Sequence, residues 1–319
     1  MVNAVNNQQE SAPTIVEDEH FPGLYQSADR SSISAQRRYI HIHRWHLFCL
    51  IFGSVCVAIA TKFPVAATWT YVLLAIVLAI GIFLTLISRV RRDNEVWFDC
   101  RAIAESTKTA TWRFMMKADP FKDDSTSEQS FLEKLRQIRG ARPSSPKDLA
   151  QNLDANAQSV SGFMNEIRRK SVDERRNLYL ESRLRDQKTW YSNKAIFNSR
   201  KENRWSWTVV VLQISAIAFA IIQACLSGLP LNVVPLLMTC AASAVAWSQM
   251  KRYSELAQTY SLAAQELGDQ ETIALHITEE ADLINLVRQV EETISREHTL
   301  WCARRDVVFG PSDIADEQA

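Results

Sequence analysis

The sequence has few of the residues that punctuate a chain: 8 glycines and 9 prolines in 319 residues. That is too few for a turn-rich all-β fold and points to long helices. It has no net charge either, 36 basic residues being matched by 36 acidic ones. A nucleic-acid binder working through a global basic surface is therefore excluded, and no nucleic-acid partner is expected. The phosphate-cradling loops GxxxxGKS/T and GxGxxG are missing, as are GxSxG, HExxH and CxxC. Without a nucleophile, base or metal constellation, neither an enzyme nor a cofactor is expected. Charge itself is missing from two blocks. Residues 47–88 hold Lys62 alone and residues 205–250 hold none. A charge-free run of that length is too long for one buried core helix.

What these blocks do contain is apolar sequence divided by short breaks. Lys62-Phe63-Pro64 and Thr68-Trp69 split the first block into helices over about 46–63 and 70–88. Ser227-Gly228-Leu229-Pro230 splits the second into about 205–226 and 232–250. Each piece is long enough for the ~30 Å of a bilayer's hydrocarbon at 1.5 Å per residue. Pro235 falls in a first turn, where its missing N–H matters little. A hairpin buried in a soluble core is the alternative; a cleaved signal peptide fits poorly, since over forty residues of mostly polar sequence precede the first span. Arg37, Arg38 and Arg44 precede the first span, and Arg89, Arg91, Arg92 and Arg101 follow the second. Lys194, Arg200, Lys201 and Arg204 precede the third, and Lys251 and Arg252 follow the fourth. The positive-inside rule then puts both termini and the 89–204 segment in the cytoplasm. Arg44, Trp45, Arg91, Arg92, Arg204, Trp205, Lys251 and Arg252 are the expected membrane-interface anchors.

The two halves align at an offset of 160. Arg44-Trp45 matches Arg204-Trp205, Arg91-Arg92 matches Lys251-Arg252, and Ser88, Glu95 and Ala104 match Ser248, Glu255 and Ala264. Both hairpins enter from one side, so the repeat is parallel. The polar remainder reads as helices: from Ser27 into the first span, on from Arg89 to Met116, and over 127–140. A further helix is capped by Ser145 and runs to Lys170. The next begins at 172 under a Ser171-Val172-Asp173-Glu174 capping box and shows no breaker before Gly228. The last two cover 251–267, ended by Gly268, and 278–305. Val96, Cys100, Ile103, Thr107 and Ala110 share one helix face, as do Ile284, Val287, Val290 and Ile294. The mixed-charge runs Asp173–Arg176 and Glu291–Arg296 read as solvated faces. The expected class is an all-α membrane protein, four transmembrane helices in two hairpins with long cytoplasmic helical extensions.

Three features carry candidate function. His43 and His46 share a helix face but His41 does not join them, and two ligands are too few for a metal site; interfacial histidines, or a pH sensor, are the readings left. No charge lies in the interior of any span, so no proton relay or ion-pair pathway is visible. Gln213, Ala216, Ala220 and Gln223 form a stripe at steps of three, four and three, either hydrogen-bonding glue between helices or the lining of a polar conduit. Ala75 with Ala79, and Ala242 with Ala246, are small-residue pairs suited to close helix packing. Cys49, Cys56, Cys225 and Cys240 in the spans, with Cys100 and Cys302, lack zinc spacing and read as small apolar packers.

Leu24-Tyr25-Gln26, Ala28-Asp29 and Ala35-Gln36-Arg37-Arg38-Tyr39, then Thr111-Trp112-Arg113-Phe114-Met115-Met116 with Pro120-Phe121, resemble a SLATT domain, the SMODS- and SLOG-associating two-transmembrane effector domain. Arg185-Asp186-Gln187, Trp190-Tyr191 and Lys194-Ala195, with Glu297, Trp301, Arg304 and Arg305, are similar to a second SLATT type. The resemblance covers about 21–308. It gives units at 21–118 and 171–308 joined by a cytoplasmic helical connector at 119–170, with a tail at 309–319; residues 1–20, polar and without periodic apolar positions, read as a disordered arm. The resemblance implies a bacterial inner-membrane effector of an anti-phage or conflict system, opening or perturbing the membrane. Four spans without intramembrane charge leave little room for an aqueous path in one copy, so a homo-oligomer is expected. Its trigger would be a sensor protein or a nucleotide second messenger. A non-conducting scaffold and a constitutive small channel or transporter are the alternatives. The family offers no catalytic residues to carry over.

Overall fold

The computed structural model describes residues 16–141, 149, 152, 157–226 and 232–309. Almost all of these are helical, and no strand occurs among them. In chain order the helices are α1 Gly23–Lys62, α2 Ala67–Arg91, α3 Asp93–Met115, α4 Ser127–Gly140, α5 Gly162–Arg169 and α6 Val172–Tyr179. A π-helical segment, Leu180–Arg185, leads directly into α7 Asp186–Cys225. Then come α8 Val234–Lys251, α9 Tyr253–Ala274 and α10 Glu280–Phe309.

Three stretches are long and apolar enough to cross a membrane: Gly23–Lys62, Ala67–Met115 and Val172–Cys225. In the second and third only 6% of the most apolar window is buried within the chain. That argues against the alternative of a soluble core hairpin, whose helices would be covered on all sides. α8 is 18 residues long and includes Gln249 and Lys251, which dilute it. Its proline stands in the first turn as expected.

The chain divides into two compact units. One, the spanning unit, is made of Arg30–Arg101 and Tyr191–Leu262. Where its helices pack, the residues are small: Cys56, Ala60, Ala216, Ala241, Ser243 and Ala244 are buried, and small residues let backbones approach closely in lipid. The other, the polar unit, is made of Met1–Asp29, Ala102–Trp190 and Ala263–Ala319. It has a conventional aromatic core. Phe131 lies 4.9 Å from Phe114 and 5.6 Å from Phe121, and Trp112 meets Tyr179 edge-on at 5.6 Å. Gly23 admits a close approach there, since a Cβ would stand 2.7 Å from the Ala157 Cβ.

Several boundaries differ from the sequence reading. The expected continuous helices end at Arg92 and Arg252, both left-handed at φ 49° and 51°. These positions are 160 residues apart, and each arginine reaches forward three residues: Arg92 Nε donates to Glu95 at 2.8 Å and Arg252 Nε to Glu255 at 2.9 Å. A left-handed non-glycine residue costs ~1 kcal/mol or more, and the ion pair offsets part of it. The internal repeat is thus present in the backbone as well as in the residues.

Gly268 does not break its helix, because the buried Leu267 and Ala274 on either side anchor α9 through it. The helix expected to run to Lys170 is interrupted over 157–161 and resumes at Gly162, where the Ser161 hydroxyl accepts from the Met164 N–H at 3.3 Å; its Ser145 start lies outside the described residues. The arm's end, Asp18–His20, is a 3-10 turn, with the His20 ring stacked 4.0 Å from Phe163; residues 1–15 and the tail's 310–319 lie outside the described residues. The Ser171–Glu174 capping box and the start at Val172 are as read.

Candidate functional site

In the spanning unit the expected stripe on α7 splits along its length. Ala216 is buried and Gln223 half-buried, whereas Gln213 and Ala220 are exposed. At 100° per residue, Ala216 and Gln223 lie on one edge of the stripe and Gln213 and Ala220 on the other. The limit of packing within the chain therefore runs down the stripe. Ala75, Ala79, Ala242 and Ala246 are exposed as well. A groove of about 270 Å³ between α1 and α2 is lined by His46, Cys49, Val77 and Gly81, too apolar for a polar small molecule.

The expected anchors occupy the helix ends. Trp45 is exposed and packs edge-on against Phe48 at 5.6 Å. Arg44 and Lys251 both lie over the Trp247 ring, at 5.8 Å and 5.6 Å. Arg204 is exposed and Trp205 half-buried. Arg91 meets the buried carboxylate of Asp93 at 3.4 Å, and Arg38 donates to it at 2.9 Å. Of the three histidines, His43 bonds the Tyr39 carbonyl at 3.0 Å and His46 lines the α1–α2 groove. Among the described residues no group of three histidine, cysteine or carboxylate side chains converges on one point.

The polar unit holds a site that the sequence reading missed. Glu291 on α10, placed there on a solvated face, is fully buried. Its carboxylate accepts four hydrogen bonds: Arg183 Nε at 2.9 Å, Arg183 Nη2 at 2.8 Å, Tyr179 Oη at 3.0 Å and Thr109 Oγ1 at 2.7 Å. Arg183 is 1% exposed and belongs to the π-helical segment, a rare geometry that recurs at functional positions. Its Nη1 is buried without a partner among the described residues. Burial works against the guanidinium charge, but Glu291 outweighs it and holds Arg183 above its ordinary value. Tyr179 is pushed well above its ordinary value by burial and then by the Glu291 charge. It therefore stays a protonated donor.

The second mixed-charge run is also misread in part. Arg175 is 2% exposed, donates to the Met116 carbonyl at 2.9 Å and pairs with Glu280. The only signal for these sites was the helical period. Tyr179 and Arg183 are four apart, and Glu291 directly follows Val290 on the apolar side of α10.

A further ion cluster gives a pH dependence. Glu271 on α9 receives Lys188 and Arg185, the latter at 2.6 Å, and these two hold its carboxyl below the ordinary 4.5. A depressed carboxylate contributes stability above its unfolded value and loses it as pH falls through the folded one. The thermal midpoint should therefore drop as pH falls below about 4.5, and Glu271→Gln should flatten that drop while lowering the midpoint at pH 7. An unchanged slope in the variant would show the cluster to be energetically silent.

Residues 22–176 match the family described as SMODS and SLOG-associating 2TM effector domain 3, and residues 179–301 match SMODS and SLOG-associating 2TM effector domain 1. The first match takes in the 119–170 segment. No match was found among curated proteins or solved structures.

Proposed function

The chain is a tandem of two SLATT domains, a membrane protein of the effector class found in conflict systems, and we propose that it works by opening the membrane as a homo-oligomer. Its four apolar helices would cross the bacterial inner membrane as two hairpins, with both termini and the polar unit in the cytoplasm. The basic residues at the span ends support that orientation.

The observation that carries the oligomer is Gln213. Its amide lies within a span and is exposed on the single chain. Hydrocarbon offers such a group no hydrogen bond, whereas a second copy would offer one. The outward-facing Ala75, Ala79, Ala242 and Ala246 suit close contact between copies. Gln213 and Ala220 would then line the interface or the conduit, with Ala216 and Gln223 behind them. No enzymatic step is needed. The trigger, a sensor protein or a nucleotide messenger reaching the polar unit, must favour the open state by its affinity, since equal affinity for both states shifts nothing.

The test is dye release from liposomes carrying the full chain, with co-purifying partners supplied. Release is expected, and Gln213→Leu should reduce it severalfold while insertion is unchanged. If intact protein never permeabilises the vesicles and Gln213→Leu is neutral, the chain is a scaffold and this reading falls.

A further inference from the structure

Two cations from different repeats meet on one indole. Arg44 comes from α1, in the first SLATT domain; Lys251 and Trp247 come from α8, in the second. The guanidinium carbon lies 5.8 Å from the Trp247 ring centre and the ammonium nitrogen 5.6 Å. Their like charges are close enough to act on each other. Neither cation has a carboxylate partner: among the described residues no acidic side chain is within ion-pair distance of Arg44 or Lys251.

The repeat shows why the charge is left over. Position 251 corresponds to 91 and position 253 to 93. In the first domain Asp93 neutralises Arg91 at 3.4 Å. In the second the equivalent of Asp93 is Tyr253, which carries no charge. The positive pair therefore occurs at one end of the repeat only, and it joins the lead-in helix of one domain to the second span of the other.

The position of the pair fixes the chemistry of what it lacks. Arg44 precedes the first apolar block and Lys251 follows the second. Trp247, like other interfacial indoles, suits the headgroup level. A guanidinium fork and a point ammonium together match the free oxygens of a phosphodiester, and the indole ring lies within cation–π reach of both. We propose that Arg44, Trp247 and Lys251 form a binding site for the phosphate of an acidic phospholipid, which bridges the two SLATT domains at the cytoplasmic leaflet. This rests on the membrane reading above.

The experiment uses the full chain in nanodiscs of phosphatidylcholine with and without phosphatidylglycerol. Lipids retained on the protein are read by native mass spectrometry, and insertion is checked separately by protease protection of the spans. The wild type should retain phosphatidylglycerol in preference to phosphatidylcholine. Arg44→Gln with Lys251→Gln should weaken that retention on the order of thirtyfold, at about 1 kcal/mol for each lost cation. Arg44→Lys with Lys251→Arg should keep most of it. Arg89→Gln with Arg204→Gln, which removes equal charge from the same membrane face, should leave it nearly unchanged.

Retention by the Gln pair overturns the proposal, as does an equal loss in the Arg89/Arg204 variant. Inorganic phosphate displacing the lipid at micromolar concentration would overturn the lipid as occupant. A protein that inserts but shows no lipid preference sinks this proposal alone. One whose spans stay open to protease sinks the membrane reading with it.

Discussion

Glu291→Gln is expected to destabilise the polar unit by about 3–5 kcal/mol, the loss usual when one partner of a buried ion pair is removed. The carboxylate is fully buried and accepts from Arg183 twice, from Tyr179 and from Thr109. Glutamine supplies one acceptor oxygen and turns an amide donor towards groups that are themselves donors. Arg183, 1% exposed and with its Nη1 already unpartnered, would keep its charge with nothing to neutralise it. Arg183→Met should lose less, because the stranded Glu291 can take up a proton whereas arginine cannot lose one. The double variant Arg183→Met with Glu291→Leu should recover most of the loss, since a well-packed apolar pair often matches a buried ionic one. Thermal unfolding of these variants in detergent, with Glu291→Leu alone added, closes the cycle. If Glu291→Gln stays within about 1 kcal/mol of the wild type, the pair does not hold α10 against the π-helical segment.

The long apolar helices could be read directly because their signal is additive. Apolar runs and the basic residues at their ends need no tertiary information, and the spans over 46–63, 70–88 and 205–226 each fall inside a single observed helix or overrun its end by one residue. Caps with their own side-chain chemistry were equally readable, as with Ser171 and Glu174. The breaks at Arg92 and Arg252 were not, because no glycine, proline or asparagine marks them. The left-handed turn is fixed by the packing of the helices it joins and by a glutamate three residues on. Glu291 and Arg175 were misplaced for a related reason. A charge on an amphipathic helix looks solvated unless its partner is known, and here the partners lie about 100 residues away. The stripe on α7 was found, but a sequence period cannot say which edge of it the chain itself covers; the structure turns Ala216 inward and Gln213 outward.

Arg168→Met should have the second large effect, and it bears on how the 119–170 segment belongs to the fold. Arg168, at the end of α5, is 5% exposed. Its Nη1 donates to the Phe114 carbonyl and its Nη2 to the Phe121 carbonyl, both at 2.7 Å, and Asp124 pairs with it at 2.7 Å. The guanidinium also lies 5.0 Å from the Phe114 ring centre. One side chain thus satisfies the backbone where α3 has ended and the chain turns towards α4. Methionine fills a similar volume but donates nothing. Among the described residues the Phe121 carbonyl is then left without a partner and the Phe114 carbonyl keeps only the Lys117 N–H at 3.2 Å; each lost charged hydrogen bond weakens the fold by about 1–3 kcal/mol. The expected destabilisation for the two bonds is therefore about 2–6 kcal/mol, with hydrogen exchange rising first over 114–131. Arg168→Lys should restore only part of it, because one ammonium cannot span two carbonyls in the fixed fork that guanidinium provides. Since Phe114 and Phe121 pack on Phe131 in the core that also holds Trp112, the loss should spread through the polar unit instead of melting the 119–170 segment alone. If exchange rises only within 119–170 while Trp112 and Glu291 stay protected, the segment is a module of its own and Arg168 merely fastens it.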